Sequence, residues 1–344
     1  MFEFFLDYGL FLSKTVTIVL AIIIVAVFFA MLLMRGKSTS HEHIEIKKLN
    51  DHYDDLTLAL NSQMLAKEDL KHYLKASKKK HKKEKKSTKD EPRKRLFILD
   101  FHGDIKASEV TELREEITAI LTIASPDTDE VFVRLESPGG MVHAYGLAAS
   151  QLLRIRNKKI PLTIGVDKVA ASGGYMMACV ANKIISAPFA VVGSIGVVAQ
   201  IPNFNRLLKK HDVDFELITA GEYKRTLTLF GENTDKAREK FKHDIEETHE
   251  LFKEFILANR DIVDLDQVAT GEHWFGTRAK ELRLVDELMT SDDYLLLKRD
   301  EADLYEVKYE IKKTIGSKFA HFLSNTADRL SLLWARRSQE NQMQ

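Results

Sequence analysis

Turns rich in glycine and serine contain the residues of this 344-residue chain that could do chemistry. In the run AASGGY, over 170–175, Ser172 stands between small residues at a point where a helix is expected to begin. A serine at such a point is either an N-cap that binds the helix backbone or a nucleophile that a substrate can reach. The alanines and glycines on both sides favour the nucleophile.

Two further turns have similar composition. The run SPGG, over 137–140, follows a strand-like segment, and GSIG occupies 193–196. Paired glycines after a strand let the backbone approach a ligand closely and present its N–H groups. A tight turn between strand and helix is the alternative for SPGG, and the run alone does not decide between them.

A serine nucleophile needs a base, and the sequence offers histidines and lysines. His143, His211 and His273 are scattered, and none stands in a recognisable catalytic setting. Lys224, in the run GEYK, is a candidate if its amine is neutral. A lysine becomes neutral near pH 7 only where burial lowers its pKa by about 3 units. Position alone does not separate Lys224 from a surface lysine.

Alternating strands and helices must position these turns. The strand-like runs are 96–101, 131–135, 160–166 and 183–186, and the helical stretches are 108–122, 141–156, 173–181, 234–259 and 277–282. This alternation is typical of an α/β domain with a parallel sheet. We place that domain at residues 96–290, which is long enough for one substantial core.

The N-terminal region predicts a membrane anchor. After a short segment, 1–14, residues 15–34 contain no charged side chain, and a helix of 20 residues spans about 30 Å, the thickness of a bilayer core. The acidic start and the missing cleavage site argue against a removed signal peptide. Lys14 alone precedes the span, whereas Arg35 and Lys37 follow it. The positive-inside rule therefore favours the cytoplasmic side for the rest of the chain.

A charged tether is predicted between the anchor and the domain, over 35–95. Apolar residues at three-to-four spacing predict a helix in 41–75. The lysine-rich run 76–95 is predicted to be a solvated linker, with attraction to anionic lipid headgroups as the alternative. Residues 67–95 hold 14 Lys or Arg and five Asp or Glu, so the neutral total of 51 basic and 51 acidic residues hides strong segregation.

Two other segments carry weaker signals. The uncharged stretch 184–205 contains prolines and glycines, so buried strand and turn is favoured over a second membrane span. The C-terminal extension, 291–344, includes an amphipathic stretch at 311–337 that could join subunits or lie on a membrane. The single cysteine, Cys179, excludes an intramolecular disulfide framework and is predicted to be buried packing. Balanced charge argues against nucleic-acid binding.

Four motifs in order, SPGG, AASGGY, GSIGV and GEYK, resemble the signal peptide peptidase A family of serine peptidases. The resemblance implies a Ser–Lys dyad in which Ser172 is the nucleophile and Lys224 the general base. Ser194 matches the serine that orients the lysine amine. Gly140 matches an oxyanion-hole donor, and the N–H of Gly173 is a plausible second donor. The sequence departs from the family pattern at none of these positions.

The resemblance covers about residues 96–288 and implies more than the dyad. It implies an α/β fold of the ClpP/crotonase type, built from repeated ββα units and preceded here by one transmembrane helix and a charged helical tether. It also implies an endopeptidase that forms an acyl-enzyme, needs no metal or cofactor, and assembles as a homo-oligomer in which the lysine can come from a neighbouring subunit.

The expected partners and location follow from the same resemblance. The substrates are polypeptides, for which signal-peptide remnants and misfolded membrane proteins are candidates, and membrane lipid is the other partner. The location is the bacterial inner membrane. The resemblance leaves the side of the catalytic domain open, and only the flanking charges favour the cytoplasmic side. A crotonase-type enzyme acting on acyl-CoA and a non-catalytic membrane scaffold are the alternatives.

Overall fold

The computed structural model describes residues 2–35, 42–87 and 93–311. Its helices are α1 Phe2–Arg35, α2 Leu49–Met64, α3 Lys67–Ser87, α4 Val110–Ile123, α5 Val142–Asn157, α6 Gly173–Ala178, α7 Asn205–Lys210, α8 Asp235–Asn259, α9 Leu265–Val268, α10 Gly276–Glu281 and α11 Ser291–Lys298. Its strands are β1 Glu42–Lys48, β2 Lys94–His102, β3 Asp129–Glu136, β4 Leu162–Val166, β5 Val169–Ala171, β6 Lys183–Ser186, β7 Val191–Gly193, β8 His273–Phe275, β9 Glu287–Leu288 and β10 Ala302–Ile311. The fold is mixed α/β, as predicted.

The main sheet has the strand order β1-β10-β2-β3-β4-β6-β9 among the described residues. The pairs from β10 to β9 are all parallel, and β2 and β3 form the longest register, from Arg95 opposite Asp129 to His102 opposite Glu136. Parallel strands end at the same edge, so the segments that leave β3 and β4 start side by side. This edge is where the motif turns begin.

One face of the sheet is covered by α4 and α5. Odd-numbered residues of β2 and β3, such as Leu99 and Val133, point to this face because successive side chains of a strand alternate. They pack against Leu113 and Ile117 of α4 and against Leu152 of α5, all at most 1% exposed. Apolar side chains that recur every 3.6 residues in the helices therefore pack in one core against those that recur every two residues in the strands.

The opposite face is covered by α2 and α11. Ile98 and Phe132 point to this side, and the ring of Phe132 stacks on Tyr294 of α11 with centroids 4.7 Å apart. Leu49 at the start of α2 belongs to the same cluster. Both faces of the central strands are therefore buried, which explains their nearly continuous apolar sequence.

A small second sheet holds the candidate site. Its order is β5-β7-β8, with β5 and β7 parallel and β7 and β8 antiparallel. β4 and β6 of the main sheet each lead into a strand of this second sheet, whereas β2 and β3 are followed by helices α4 and α5. Ala170 of β5 also forms a bridge to Ser137, just beyond β3, so the two sheets meet at that point.

The predicted elements after residue 95 are confirmed within a few residues. The helix predicted over 234–259 is α8, and Thr234 caps it by accepting the Ala237 N–H at 3.2 Å. The stretch 184–205 is strand and turn up to the start of α7 at Asn205, with β6 and β7 inside it, but it is buried only in its first part, because residues 198–204 are exposed. The helix predicted over 173–181 ends earlier, at Ala178.

The N-terminal helix is confirmed as a helix but is longer than predicted, because α1 includes residues on both sides of 15–34. Among residues that the structure describes, no helix has the length and apolar character required to cross a membrane. The transmembrane assignment of 15–34 is therefore not supported by the structure.

The tether differs from its prediction in two ways. Residues 42–48 form strand β1 beside β10 instead of the start of a helix, because β10 offers an edge to pair with. Helix α3 runs through most of the lysine-rich segment, up to Ser87, where a solvated linker was predicted. Lysine has a good helix propensity, and the segment contains no glycine or proline before Pro92.

The C-terminal part of the domain extends beyond 290, because β10 pairs with β2 in the middle of the sheet. Two compact units can be distinguished: Ile44–Tyr309 forms one, and α1 belongs to the other. The amphipathic helix predicted at 311–337 lies outside the described residues except for its first position.

Candidate active site

Ser172 connects β5 to α6 in an unusual backbone conformation. Its φ is +52° and its ψ is −118°, a region that residues with a side chain rarely adopt. Its N–H donates to the Gly193 carbonyl at 2.8 Å, and its own carbonyl accepts the Met176 N–H at 2.9 Å. These bonds hold the strained serine from both sides. Strain of this kind concentrates at functional sites.

The side chain of Ser172 does not cap the helix. Ser172 is the residue before α6, but its hydroxyl makes no hydrogen bond to the helix backbone. The residue is half-buried. The structure therefore disfavours the N-cap alternative and leaves Oγ available to a substrate.

The GSIG turn lies beside Ser172. Ala171 of β5 pairs with Gly193 of β7, so the residues that follow them, Ser172 and Ser194, are neighbours at the ends of two parallel strands. Ser194 also has a positive φ, +52°, and its N–H donates to the Glu272 carbonyl at 2.7 Å. The structure thus brings together the two serines predicted for the site.

The SPGG turn lies against Ser172 on its other side. Ser137 donates its N–H to the Val169 carbonyl at 2.8 Å and accepts the Ala171 N–H at 3.0 Å. At Gly139, where φ is +87°, a methyl group would lie 2.8 Å from Cβ of Ser172 and 2.8 Å from the Gly173 nitrogen. Only glycine permits this approach, so the SPGG turn packs directly against Ser172.

Two N–H groups beside Ser172 have no hydrogen-bond acceptor within the described parts of the chain. They belong to Gly140 and to Gly173. Gly173 is the first residue of α6, where a helix leaves its N–H groups without internal partners. These are the two groups that the family resemblance implies as oxyanion donors.

Lys224 forms no hydrogen bond with Ser172 within the described parts of this single chain. It lies in an exposed, irregular segment between α7 and α8, where its N–H donates to the Gly221 carbonyl at 3.2 Å. Its amine forms no hydrogen bond or ion pair with any described residue. The structure therefore assembles the serine, the two glycine N–H groups and Ser194, but not the lysine.

The remaining sequence candidates lie outside this arrangement. His143, His211 and His273 are exposed, and none hydrogen-bonds to Ser172 in the described structure. Cys179 is fully buried, as predicted, and burial raises the pKa of its thiol to about 12.

Sequence reasoning missed the packing partner of the glycines. A methyl group at Gly173 would lie 2.3 Å from Cγ of Tyr145, and one at Gly174 would lie 2.5 Å from the Ser137 carbonyl oxygen. The small residues after Ser172 are therefore required by the protein's own packing, and not only by access for a substrate. Tyr145 has no sequence signal of its own, since it stands on the core face of α5 like any buried aromatic residue.

Comparisons with known proteins agree with the motifs. Residues 3–152 match the family described as Peptidase family S49 N-terminal, and residues 154–305 match Peptidase family S49. A protein of Haemophilus influenzae named Probable protease SohB is 52% identical over 330 residues, covering 93% of each chain. A protein of the same name from Buchnera aphidicola subsp. Schlechtendalia chinensis is 50% identical over 304 residues, covering 86% of this chain and 99% of its own.

A solved structure shows weaker similarity. A mutant of the 1510-N membrane-bound stomatin-specific protease, in complex with a substrate peptide, has a TM-score of 0.37 and 13% identity, covering 68% of this chain and 99% of its own. The identification rests instead on the two family matches and on the close relatives, which together span nearly the whole chain. This chain belongs to peptidase family S49.

Proposed function

We propose that the chain is a serine endopeptidase in which Ser172 is the nucleophile. The observation that supports this most directly is the setting of Ser172: a strained serine whose hydroxyl does not cap α6, next to N–H groups of Gly140 and Gly173 that find no acceptor among the described residues. Such a group of donors can stabilise the oxyanion of a tetrahedral intermediate, where one donor is typically worth about 3 kcal/mol.

Lys224 is the proposed general base, and Ser194 orients its amine. The neutral amine takes the proton of Ser172 as Oγ attacks the peptide carbonyl. The peptide C–N bond then breaks, and the lysine returns the proton to the leaving amine. In the second half of the reaction, the Lys224 amine takes a proton from water as the water attacks the acyl-enzyme. The ester bond then breaks, and the lysine returns the proton to Oγ of Ser172.

Assembly into a homo-oligomer is the proposed means of bringing Lys224 to a serine. The segment that carries the lysine exposes many apolar side chains, which is unusual for a monomer. They include Val213, Phe215, Leu217, Ile218, Leu229 and Phe230, of which Ile218 is 93% exposed. Burial of this segment against a second copy would both cover the apolar surface and fix the lysine.

Hydrolysis of an unfolded protein tests the dyad. The purified chain should cleave casein, whereas Ser172→Ala and Lys224→Ala should each lose at least about a thousandfold in rate. Ser150→Ala, on the exposed side of α5, and Lys210→Ala, at the exposed end of α7 just before the segment that carries Lys224, are matched controls that should keep full activity.

A mixture of the two inactive variants tests the assembly. Recovery of activity on mixing would show that Ser172 of one copy meets Lys224 of another. Absence of recovery, with both variants still oligomeric, would place the dyad within one copy. Full activity of Ser172→Ala or Lys224→Ala contradicts the proposed mechanism outright.

Membrane attachment through α1 is part of the same proposal, and its support comes from the sequence and from exposure. The helix carries 20 uncharged residues, and described side chains such as Leu10, Phe11, Ile18 and Ile22 are more than half exposed. An apolar helix surface needs an apolar environment. If α1 is an anchor, the chain should stay in the bacterial inner-membrane fraction through alkaline carbonate washing, and release by that wash contradicts the anchor.

The finer fold and substrate assignments also remain proposals. A ClpP/crotonase-type fold is supported by the consecutive strands β4 and β5, and β6 and β7, because in each case the chain passes from the main sheet into the second sheet. Polypeptide substrates follow from the peptidase family. Signal-peptide remnants and misfolded membrane proteins are the substrates we propose for a membrane-attached member.

A further inference from the structure

A chain of buried hydrogen bonds runs beneath the SPGG turn. Tyr145 Oη donates to the Asp104 carbonyl at 2.7 Å, Ser137 Oγ lies 2.6 Å from Tyr145 Oη, and Gly139 donates its N–H to Ser137 Oγ at 3.1 Å. Because the one hydroxyl proton of Tyr145 is used on the carbonyl, Ser137 must be the donor to the tyrosine oxygen. The chain therefore runs in one direction, from Gly139 to Asp104.

On the basis of the proposed peptidase function, we propose that Ser137 and Tyr145 are positioning residues that aim the oxyanion donors at the substrate of Ser172. Neither side chain touches the reacting atoms. Each acts through the glycine backbone that does.

The first consequence of this chain of hydrogen bonds is that it fixes the orientation of the N–H groups in the SPGG turn. With the Gly139 N–H bound inward to Ser137 Oγ, the turn cannot rotate that group towards a substrate. The next N–H, that of Gly140, is left without an acceptor among the described residues. Met141 then closes the turn by donating to the Ile105 carbonyl at 2.8 Å. The Gly140 peptide is thus held between two fixed bonds.

The second consequence concerns the other donor. The ring of Tyr145 lies directly under Gly173, where a methyl group would come within 2.3 Å of its Cγ. One residue therefore supports both donors: its hydroxyl fixes the SPGG turn and its ring supports the start of α6. Tyr145 and Ser137 are both fully buried, so neither can exchange its partner for water.

The last acceptor of the hydrogen-bond chain, the Asp104 carbonyl, lies in a segment that is itself held by hydrogen bonds. The Asp104 carboxylate accepts the N–H groups of Lys106 and Ser108 at 3.0 and 2.8 Å and the Ser108 hydroxyl at 2.7 Å. These bonds hold the segment that presents the Asp104 carbonyl. The acceptor for Tyr145 is consequently a rigid turn and not a mobile loop.

The test compares hydroxyl deletions with a matched control. Tyr145→Phe and Ser137→Ala should each lower kcat on fluorescein-labelled casein about tenfold, with KM within about twofold of wild type, because donors misaligned in the transition state leave ground-state binding intact. Tyr294→Phe is the control: it removes another buried hydroxyl, 3.4 Å from Thr163 Oγ1 on the opposite face of the sheet, and should keep kcat.

Two further measurements separate positioning from structural damage. Titration with a fluorophosphonate counts the sites in which Ser172 is reactive, and that count should equal wild type while kcat falls. The kcat of the double variant should fall no further than the kcat of the more impaired single variant, because both substitutions break the same chain of hydrogen bonds. If Tyr145→Phe does not fold, Ser137→Ala decides alone.

The outcomes distinguish this inference from the proposed function. Casein cleavage that depends on Ser172, with unchanged kcat in Tyr145→Phe and Ser137→Ala, overturns the positioning role alone. A fall in kcat matched by an equal fall in titratable sites also overturns it. If Ser172→Ala cleaves as well as wild type, the proposed function fails, and the positioning role fails with it.

Discussion

Glu116 makes the stability of the domain depend on pH. This side chain of α4 is only 5% exposed, and its Oε1 accepts the Tyr309 N–H at 2.9 Å. Burial, with smaller contributions from the carboxylates of Asp100, Glu109 and Glu112, raises the pKa of Glu116 from 4.5 to about 7 in spite of the backbone donor. The folded protein therefore favours the protonated form.

The sign and size of the effect follow from these two pKa values. Below pH 4.5 the carboxyl of Glu116 is protonated in both the folded and the unfolded chain. Between pH 4.5 and about 7 the unfolded chain releases the proton first, so the free energy of unfolding decreases as the pH rises. Above pH 7 the loss is complete and amounts to about 3 kcal/mol.

The substitution Glu116→Gln removes this loss, because the neutral amide oxygen still accepts the Tyr309 N–H. Calorimetric melting of the detergent-purified chain should show the variant about 6–12 °C above wild type at pH 8, from about 2–4 °C per kcal/mol. The difference should nearly vanish at pH 4.5. Glu115→Gln, on the same helix and paired with Arg114 at 3.1 Å, calibrates the effect of losing one charge.

Two results would refute the reasoning. The first is a Tm difference between Glu116→Gln and wild type that is the same at both pH values, since titration would then not be its cause. The second is a variant that melts below wild type at pH 8, which would mean that the ionised carboxylate stabilises the fold through its hydrogen bond.

Two other substitutions are predicted from contacts. Gly173→Ala should unfold at least about 5 °C below wild type, because its methyl would clash with a buried ring, whereas Gly146→Ala on α5, where a methyl meets nothing within 4 Å, should melt at or above wild type. Asp129→Asn should destabilise by about 3 kcal/mol at pH 7. Burial alone would raise the pKa of Asp129, but the two hydrogen bonds from Arg95 lower it below its ordinary value. The stabilisation by the carboxylate is therefore present above the ordinary pKa of aspartate and is lost as the pH falls through the pKa of the folded state. Urea unfolding should show a smaller loss of stability for Asp129→Asn at pH 3 than at pH 7.

The sequence predicted the long elements well because their periodicity is strong. The strand predicted at 183–186 is β6 to the residue, and β2, β3 and β4 differ from their predictions by a few positions. The short strands β5, β7 and β8 have three residues each, which is too few for a repeat to show. They exist because a neighbouring strand supplies their hydrogen bonds, and the pairing of β7 with β8 joins residues about 80 positions apart, such as Val192 and Trp274.

Part of the candidate site could be predicted from the sequence. Glycine and serine runs indicated the three turns that lie together, since small residues mark close backbone approaches. The family resemblance supplied the roles proposed for Ser194, Gly140 and Gly173, and for Lys224, which lies in an exposed segment of this single chain. The strain at Ser172 is invisible in sequence, because serine has no special preference for a positive φ. The hydrogen bond that ties the SPGG turn to Tyr145 depends on helix α5 folding back over the sheet. Only the folded chain reveals it.

The strain at Ser172 can be measured separately from its chemistry. Both Ser172→Ala and Ser172→Gly remove Oγ, but only glycine adopts a φ of +52° without a steric penalty. Relief of about 1–3 kcal/mol of strain, less the backbone entropy that glycine loses on folding, should make Ser172→Gly about 1 kcal/mol more stable than Ser172→Ala. Both should be inactive on casein. A glycine variant less stable than the alanine variant would show that the hydrogen bonds to Gly193 and Met176 do not hold a strained serine, and that the conformation at this position costs the native chain nothing.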